Sequence, residues 1–267
     1  MKITALVAQF SVTLSIQTNL EIMDTILAQT NPGDWVVFPE GALSGYSTDV
    51  SFLKHIDRDK LKAGLDHFQK ESENRKINVW VGACENNAGK WFNAAYGFLA
   101  DGRTQIYHKI NLANHERGVF SAGDHLPVFE VMTPTGKVMV GVQICRELRF
   151  PEQWGWLARC GAQIILHLNN AVGDSKFQPV WKSHLVSRAA ETQRFVLSAN
   201  QSAYRQTSPT IAVAPDGQII GEIVSAETGI LRVELDLSKT SGWYLGQCRD
   251  DVVTIQSSHQ NASAGTR

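Results

Sequence analysis

Three residues of this chain have side chains and positions that suit nucleophilic chemistry: Cys145, Glu40 and Lys109. Cys145 ends the apolar run Val138-Met-Val-Gly-Val-Gln-Ile-Cys145 and is followed at once by Arg146-Glu147-Leu148-Arg149-Phe150-Pro151-Glu152. A buried strand that stops on a cysteine, with a helix starting at Pro151, delivers a thiol to the rim of a sheet, where α/β proteins carry their sites. Glu40 closes Trp35-Val-Val-Phe-Pro-Glu40, and Lys109 closes Thr104-Gln-Ile-Tyr-His-Lys109. Each of the three therefore stands at the C-terminal end of a predicted strand.

A thiol is a weak nucleophile near neutrality until it loses its proton, because its unperturbed pKa is about 8.5. Glu40 is placed to take that proton and to return one to a leaving amine. Lys109 offers a fixed positive charge to the oxyanion of a tetrahedral intermediate, a contribution typically of ~3 kcal/mol. The backbone N–H of Arg146, just after the thiol, is a natural second donor. The chemistry is acyl transfer through a thioester. Taken singly, each residue has a plainer reading: a cysteine as a small buried hydrophobe, a glutamate solvated at a strand end, a lysine on the surface. Cys84, Cys160 and Cys248 are left in that plainer class.

The elements that must position these groups alternate. Strands are predicted at 3–10, 35–40, 78–85, 92–99 and 104–109, with helices near 16–29 and 58–74 among them. Ser15 precedes the first helix as an N-cap and Asp57 or Asp59 the second, while Pro32-Gly33 stops the first. After a long loop (110–126) come strands 127–132 and 138–145, helix 151–160, strand 162–169, helix 181–193, and strands 195–200, 210–214, 218–223 and 229–236. Asp101-Gly102 and Asp216-Gly217 mark hairpin turns. Each half reads β-α-β-α-β followed by hairpins. With no linker or fixed-period repeat, residues 1–256 are expected to form one α/β domain of two similar halves, two sheets packed between helices. Residues 257–267, small and polar, are expected to be a frayed tail.

Composition narrows the function classes. A formal net charge of −1 over 267 residues, without a basic tract, gives no reason to expect nucleic acid or an anionic membrane surface as partner. No stretch approaches the ~18 apolar residues of a membrane span, and Met1–Phe10 reads as a strand rather than a signal peptide. The four cysteines are scattered, with neither a C-x-x-C pair nor zinc spacing. The expectation is a cytoplasmic protein with reduced thiols and no metal or other cofactor.

The local sequences are more specific than the residue types. Val36-Val-Phe-Pro-Glu40-Gly-Ala-Leu-Ser-Gly-Tyr46 resembles the glutamate motif of the nitrilase superfamily, the carbon–nitrogen hydrolases. Tyr107-His-Lys109-Ile-Asn-Leu112 resembles its lysine motif, and Gly141-Val-Gln-Ile-Cys145-Arg-Glu-Leu-Arg-Phe-Pro-Glu152 its cysteine motif. Glu116-Arg-Gly-Val-Phe120-Ser-Ala-Gly-Asp124 is similar to the segment holding a second glutamate, and Arg188–Asn200 to the helix and strand that follow the site. The resemblance spans about residues 3–237, in order and in spacing. It implies a four-layer α-β-β-α sandwich that dimerises with its sheets continuing across the interface. It also implies Glu40 as base, Lys109 as oxyanion stabiliser, Cys145 as nucleophile and Glu116 as an auxiliary carboxylate that orients Lys109 or the substrate amide.

Members of that superfamily attack nitriles, amides, N-carbamoyl groups or acyl donors. Nitrilases typically carry Cys-Trp-Glu, so Arg146 after Cys145 favours an amide or ureido substrate over a nitrile. Leu148-Arg149-Phe150 is similar to a stretch in ω-amidase-like members, which act on monoamides of dicarboxylic acids, although those commonly have Cys-Tyr-Asp. Arg146 and Arg149 are thus candidate carboxylate contacts, or else point to solvent and brace a loop. Asn169 and Asn170 end the next strand; each either meets a substrate amide or caps a turn. Trp154, Trp156 and Trp181 are expected in the core or an interface. The leading expectation is a cofactor-free amidohydrolase that releases ammonia from a small amide. An N-carbamoyl hydrolase is the alternative, and an inactive sandwich kept for binding or assembly is the reading of a different class.

Overall fold

The computed structural model describes residues 1–249, 251–252 and 254. The apolar runs form two six-stranded sheets. The first is built from β1 (Lys2–Gln9), β2 (Trp35–Val37), β3 (Asn78–Asn87), β4 (Lys90–Phe98), β5 (Thr104–His108) and, from the far end of the chain, β12 (Gly229–Asp236), in the order β12-β1-β2-β3-β4-β5. The second holds β6 (Val128–Thr133), β7 (Gly136–Ile144), β8 (Ile164–Leu168), β9 (Phe195–Ala199), β10 (Thr210–Val213) and β11 (Ile219–Ile223), in the order β11-β10-β9-β8-β7-β6. In each sheet three parallel strands form the centre, β1-β2-β3 and β7-β8-β9, and antiparallel strands flank them. β12 pairs along the whole of β1, from Lys2 opposite Asp236 to Gln9 opposite Gly229, which ties the end of the second half to the start of the first.

Strand alternation divides the apolar residues between two faces. Val7, Val37 and Trp80 point inward and pack against Val142, Leu166 and Leu197 of the other sheet. Their neighbours Leu6, Val36 and Val79 point outward, against Met23 and Ile26 of α1 (Ile16–Leu27) and Phe68 of α2 (Arg58–Arg75). On the opposite side Ile165 and Val196 pack against Leu157 of α3 (Pro151–Arg159) and Leu185 of α4 (Gln178–Thr192). Three apolar layers between four structural layers make the α-β-β-α sandwich. The chain has both sheet faces buried, which is why its central strands read as unbroken apolar runs.

Ser15 caps α1 by accepting from Thr18 N–H at 3.3 Å, and Asp57 rather than Asp59 caps α2, accepting from Lys60 N–H at 3.0 Å. Four local features differ from the sequence expectation. β2 stops at Val37 rather than 40, because Pro39 has no N–H to continue the ladder. Cys145 begins a 3-10 turn, Cys145–Arg149, rather than ending the strand. The long loop after Glu40 contains a 3-10 helix, Val50–His55, which buries Phe52 and Leu53. α4 starts three residues early, with Pro179 in its first turn, where a missing N–H is harmless. The expected boundary at 256 and the tail 257–267 lie outside the described residues. Among the described residues, no helix is long and apolar enough to cross a membrane.

Candidate active site

The topology brings the three strand ends together. β5 follows β3 by two reversals and so points the same way as β2 and β3, carrying Lys109 to the edge where Glu40 emerges. Lys109 Nζ lies 3.0 Å from Glu40 Oε1 and 3.0 Å from Glu116 Oε2, and all three side chains are completely buried. Glu116 comes from the loop after β5. Asn93, near the start of β4, ties the cluster together: its Nδ2 donates to Glu40 Oε1 and to Glu116 Oε1, both at 2.7 Å, and its carbonyl accepts from Lys109 N–H at 2.9 Å. Tyr46 OH donates to Glu116 Oε1 at 2.7 Å, and Ala113 N–H donates to Glu116 Oε2 at 2.5 Å. Beneath Glu40 passes Gly82 of β3, where a Cβ would lie 2.6 Å from the Glu40 Cα. Only a glycine allows the strand so close to the turn that holds the carboxylate.

Cys145 is half-buried and has a left-handed backbone, φ +47°. Such a conformation costs a non-glycine residue of order 1–3 kcal/mol and persists only where neighbours hold it. Glu147 is one holder. Its Oε2 accepts from Ile144 N–H at 2.8 Å, while Oε1 accepts from Tyr107 OH at 2.7 Å, Ile110 N–H at 2.8 Å and Asn111 N–H at 3.1 Å. One fully buried carboxylate thus links the Gln143–Ile144 peptide, at the end of β7, to the peptides just after Lys109. In Glu147→Gln the amide N–H2 would face Ile144 N–H, donor to donor. That variant is expected to lose about 1–3 kcal/mol of stability, read from denaturant midpoints, because a buried donor loses its acceptor.

Burial sets the proton affinities around the thiol. It pushes the Cys145 thiol well above its ordinary pKa; the negative charges of Glu40 and Glu116 add to this, and Lys109 offsets it only in part. Burial also works against the Lys109 ammonium, but the charges of Glu40, a Cys145 thiolate and Glu116 outweigh it, so Lys109 stays protonated. For Glu116 burial is likewise the largest influence, yet the Lys109 charge and the donors Tyr46, Asn93 and Ala113 N–H hold its carboxyl below the usual range. Burial raises Glu147 despite its four donors. The resting site therefore presents a thiol, with a carboxylate and an ammonium beside it.

Cys145 opens into a cavity of about 370 Å³ whose lining includes Tyr46, His115, Arg146, Arg149, Asn170 and Trp181. Arg146 and Arg149 are exposed, and neither is ion-paired among the described residues; Arg149 donates to His184 Nε2 at 3.3 Å and lies 5.6 Å from the Trp181 ring centroid. Asn170 lines the cavity and donates to the Glu40 carbonyl at 3.1 Å, bracing the Glu40 turn from the second sheet. Asn169 is fully buried and away from the cavity lining, and its carbonyl accepts from Glu40 N–H at 3.2 Å. Trp154 is core, whereas Trp181 is both core and cavity wall. Asn93, Tyr46 and Glu147 contribute to the site without having been singled out as candidates. Asn93 sits in an ordinary-looking strand, and only the register of β4 against β3 and β5 brings it to the cluster.

The sequence profile of the carbon-nitrogen hydrolase family matches residues 3–244. An (R)-stereoselective amidase of Pseudomonas sp. is 28% identical over 211 residues, 77% of this chain and 74% of that one. An omega-amidase of Xenopus tropicalis is 28% identical over 186 residues, covering 63% of this chain and 62% of its own. Among solved structures, a mutant amidase from Nesterenkonia sp. AN1, captured after Michael addition of acrylamide at its active-site cysteine, superposes with a TM-score of 0.80 at 20% identity, over 97% of this chain and 99% of that one. That last likeness is one of fold, and it is the sandwich described above. With the profile matched across nearly the whole sequence, this chain belongs to the carbon-nitrogen hydrolase family.

Proposed function

We propose that the chain hydrolyses a small, carboxylate-bearing amide through a thioester on Cys145 and releases ammonia. The observation that carries this reading is the buried Lys109 ammonium held between Glu40 and Glu116, beside a thiol on a left-handed turn. Cys145 Sγ attacks the amide carbon as its proton passes to Glu40, in keeping with a thiol that stays protonated at rest. An ammonium has three N–H donors; the carboxylates engage two, which leaves one for the oxyanion. Collapse breaks the C–N bond, Glu40 returns the proton to nitrogen, and ammonia leaves. Water, deprotonated by Glu40, then attacks the thioester, and the C–S bond breaks to restore the thiol. Glu116 orients Lys109. The amidase and omega-amidase names of the relatives support amide rather than nitrile chemistry.

Two unpaired arginines in the wall of the cavity support an acidic substrate. A guanidinium grips a carboxylate by charge-assisted, often bidentate hydrogen bonds, which a neutral amide cannot use. Arg149→Ala is expected to raise KM roughly tenfold for a dicarboxylic acid monoamide and hardly at all for a matched neutral amide. Equal losses on both would make Arg149 structural. A panel of monoamides, aliphatic amides, N-carbamoyl amino acids and nitriles, scored for ammonia, tests the class; carbon dioxide released from the N-carbamoyl compounds would instead favour the carbamoylase reading. The same reading includes a homodimer, as the family resemblance implies, and a reducing, cytoplasmic setting, with which four free thiols are in keeping. Light scattering at twice the mass of the chain checks the dimer.

A further inference from the structure

Behind the nucleophile lies a buried histidine that the reaction above does not use. His167, on β8, is fully buried. Its Nε2 is 3.0 Å from the Cys145 carbonyl oxygen and its Nδ1 is 2.8 Å from Ser198 Oγ on β9. A carbonyl oxygen only accepts, so Nε2 carries the proton, and Nδ1 accepts from the Ser198 hydroxyl. Burial lowers the His167 pKa to about 4, which keeps the imidazole neutral and the tautomer fixed at neutral pH. Trp154, tilted against the ring at a centroid distance of 5.9 Å, packs beside it.

The acceptor is the carbonyl of Cys145 itself, whose backbone is left-handed at φ +47°. In a trans peptide the C=O and the following N–H point in opposite directions. Holding the Cys145 carbonyl therefore aims the Arg146 N–H the other way. That N–H opens the 3-10 turn Cys145–Arg149, where a helical turn leaves its first N–H groups without intrahelical partners. Glu147 holds the end of the strand just before this turn, through Ile144 N–H in the Gln143–Ile144 peptide.

We propose that His167 is a positioning residue: by donating from Nε2 to the Cys145 carbonyl, it locks the Cys145–Arg146 peptide so that Arg146 N–H serves as an oxyanion donor beside Lys109. The proposal rests on Cys145 being the nucleophile, and it deepens that reading. Transition-state stabilisation is at stake rather than substrate binding, because the donor matters most when negative charge gathers on oxygen.

Three substitutions separate this role from core packing. His167→Phe keeps the ring and loses the donor. His167→Asn presents an amide nitrogen where Nδ1 stood and cannot reach the Cys145 carbonyl, while His167→Gln extends an amide nitrogen to where Nε2 stood. The expected result is a kcat lowered about 10²-fold in His167→Phe and His167→Asn, with KM for the amide unchanged, and His167→Gln within about tenfold of wild type. Binding of a substrate-derived aldehyde, whose thiohemiacetal places an oxygen in the oxyanion position, should weaken in step with kcat/KM across the three. Should His167→Phe fail to fold, the contrast between the Asn and Gln variants decides. Equal kcat in Asn and Gln variants, or aldehyde affinity that does not follow kcat/KM, would overturn the proposal. A Cys145→Ala protein that still turned over would instead overturn the nucleophile assignment beneath it, so the two failures are distinguishable.

Discussion

Replacing Cys145 by alanine should abolish turnover of every amide while leaving the fold intact. On the proposed mechanism the sulfur forms the acyl bond, and neither the neighbouring carboxylates nor the protonated Lys109 matches a thiolate as a nucleophile. Losing a nucleophile of this kind typically removes at least ~10⁴-fold in kcat. The fold should tolerate the change because alanine keeps the Cβ, and the left-handed backbone at φ +47° is no more strained with alanine than with cysteine. Cys145 also lines the cavity, so the space left by one sulfur adjoins it. The expected destabilisation is below about 1.5 kcal/mol. Ammonia release and thermal unfolding, measured on the same preparation, check both halves of the expectation. A folded Cys145→Ala protein with activity within tenfold of wild type would remove the mechanism.

Replacing Lys109 by methionine should damage both activity and stability. The ammonium is the only cation in contact with Glu40 and Glu116 among the described residues, and it has no exposure to water. Without it, two carboxylates face each other across Asn93 in a dry site. Breaking a buried ion pair from one side commonly costs about 3–5 kcal/mol. The loss of oxyanion stabilisation should lower kcat by about 10²–10³-fold beyond that. Glu40→Gln makes the informative contrast. Its amide oxygen still accepts from Lys109 Nζ, so stability should fall much less, while kcat drops at least ~10²-fold because no base remains to take the thiol proton. A Lys109→Met enzyme with near wild-type kcat at saturating substrate would mean that the oxyanion is held elsewhere.

Much of the architecture was legible in the sequence for a physical reason. Both sheets have two buried faces, so the central strands appear as apolar runs such as Val138–Ile144, and the helices between them show their apolar stripes. The order of strands and helices then leaves few topologies. Cys145 and Glu40 stood out because each ends such a run, whereas Lys109 stood out only as the charge that closes the mixed edge strand Thr104–His108. The resemblance to the nitrilase superfamily added Glu116, which by its surroundings in sequence reads as a solvated loop residue yet is wholly buried against Lys109.

Other parts depend on long-range register that local sequence does not encode. Asn93 reaches the cluster only because β4 pairs Cys84 with Asn93 and Ala94 with His108. Glu147 reads as one charge in a polar turn, and its four donors come from two segments some 35 residues apart in sequence. His167 sits in an apolar run, where a histidine is most simply a satisfied core residue; its alignment with the Cys145 carbonyl follows from the parallel register of β7 and β8. The 3-10 turn at Cys145 escaped because an apolar strand gives no local sign of where a left-handed residue will end it.

The most direct test of a covalent thioester is the intact mass of the enzyme, acid-quenched during turnover of a dicarboxylic acid monoamide. Wild type should carry one added acyl group, heavier than the free chain by the mass of the substrate less ammonia, and peptide mapping should locate it on Cys145. Glu40→Gln should accumulate less of it or release it more slowly, and Cys145→Ala should carry none. Ammonia released at full rate with no adduct at Cys145 under any quench, or an adduct that persists in Cys145→Ala, would contradict the account.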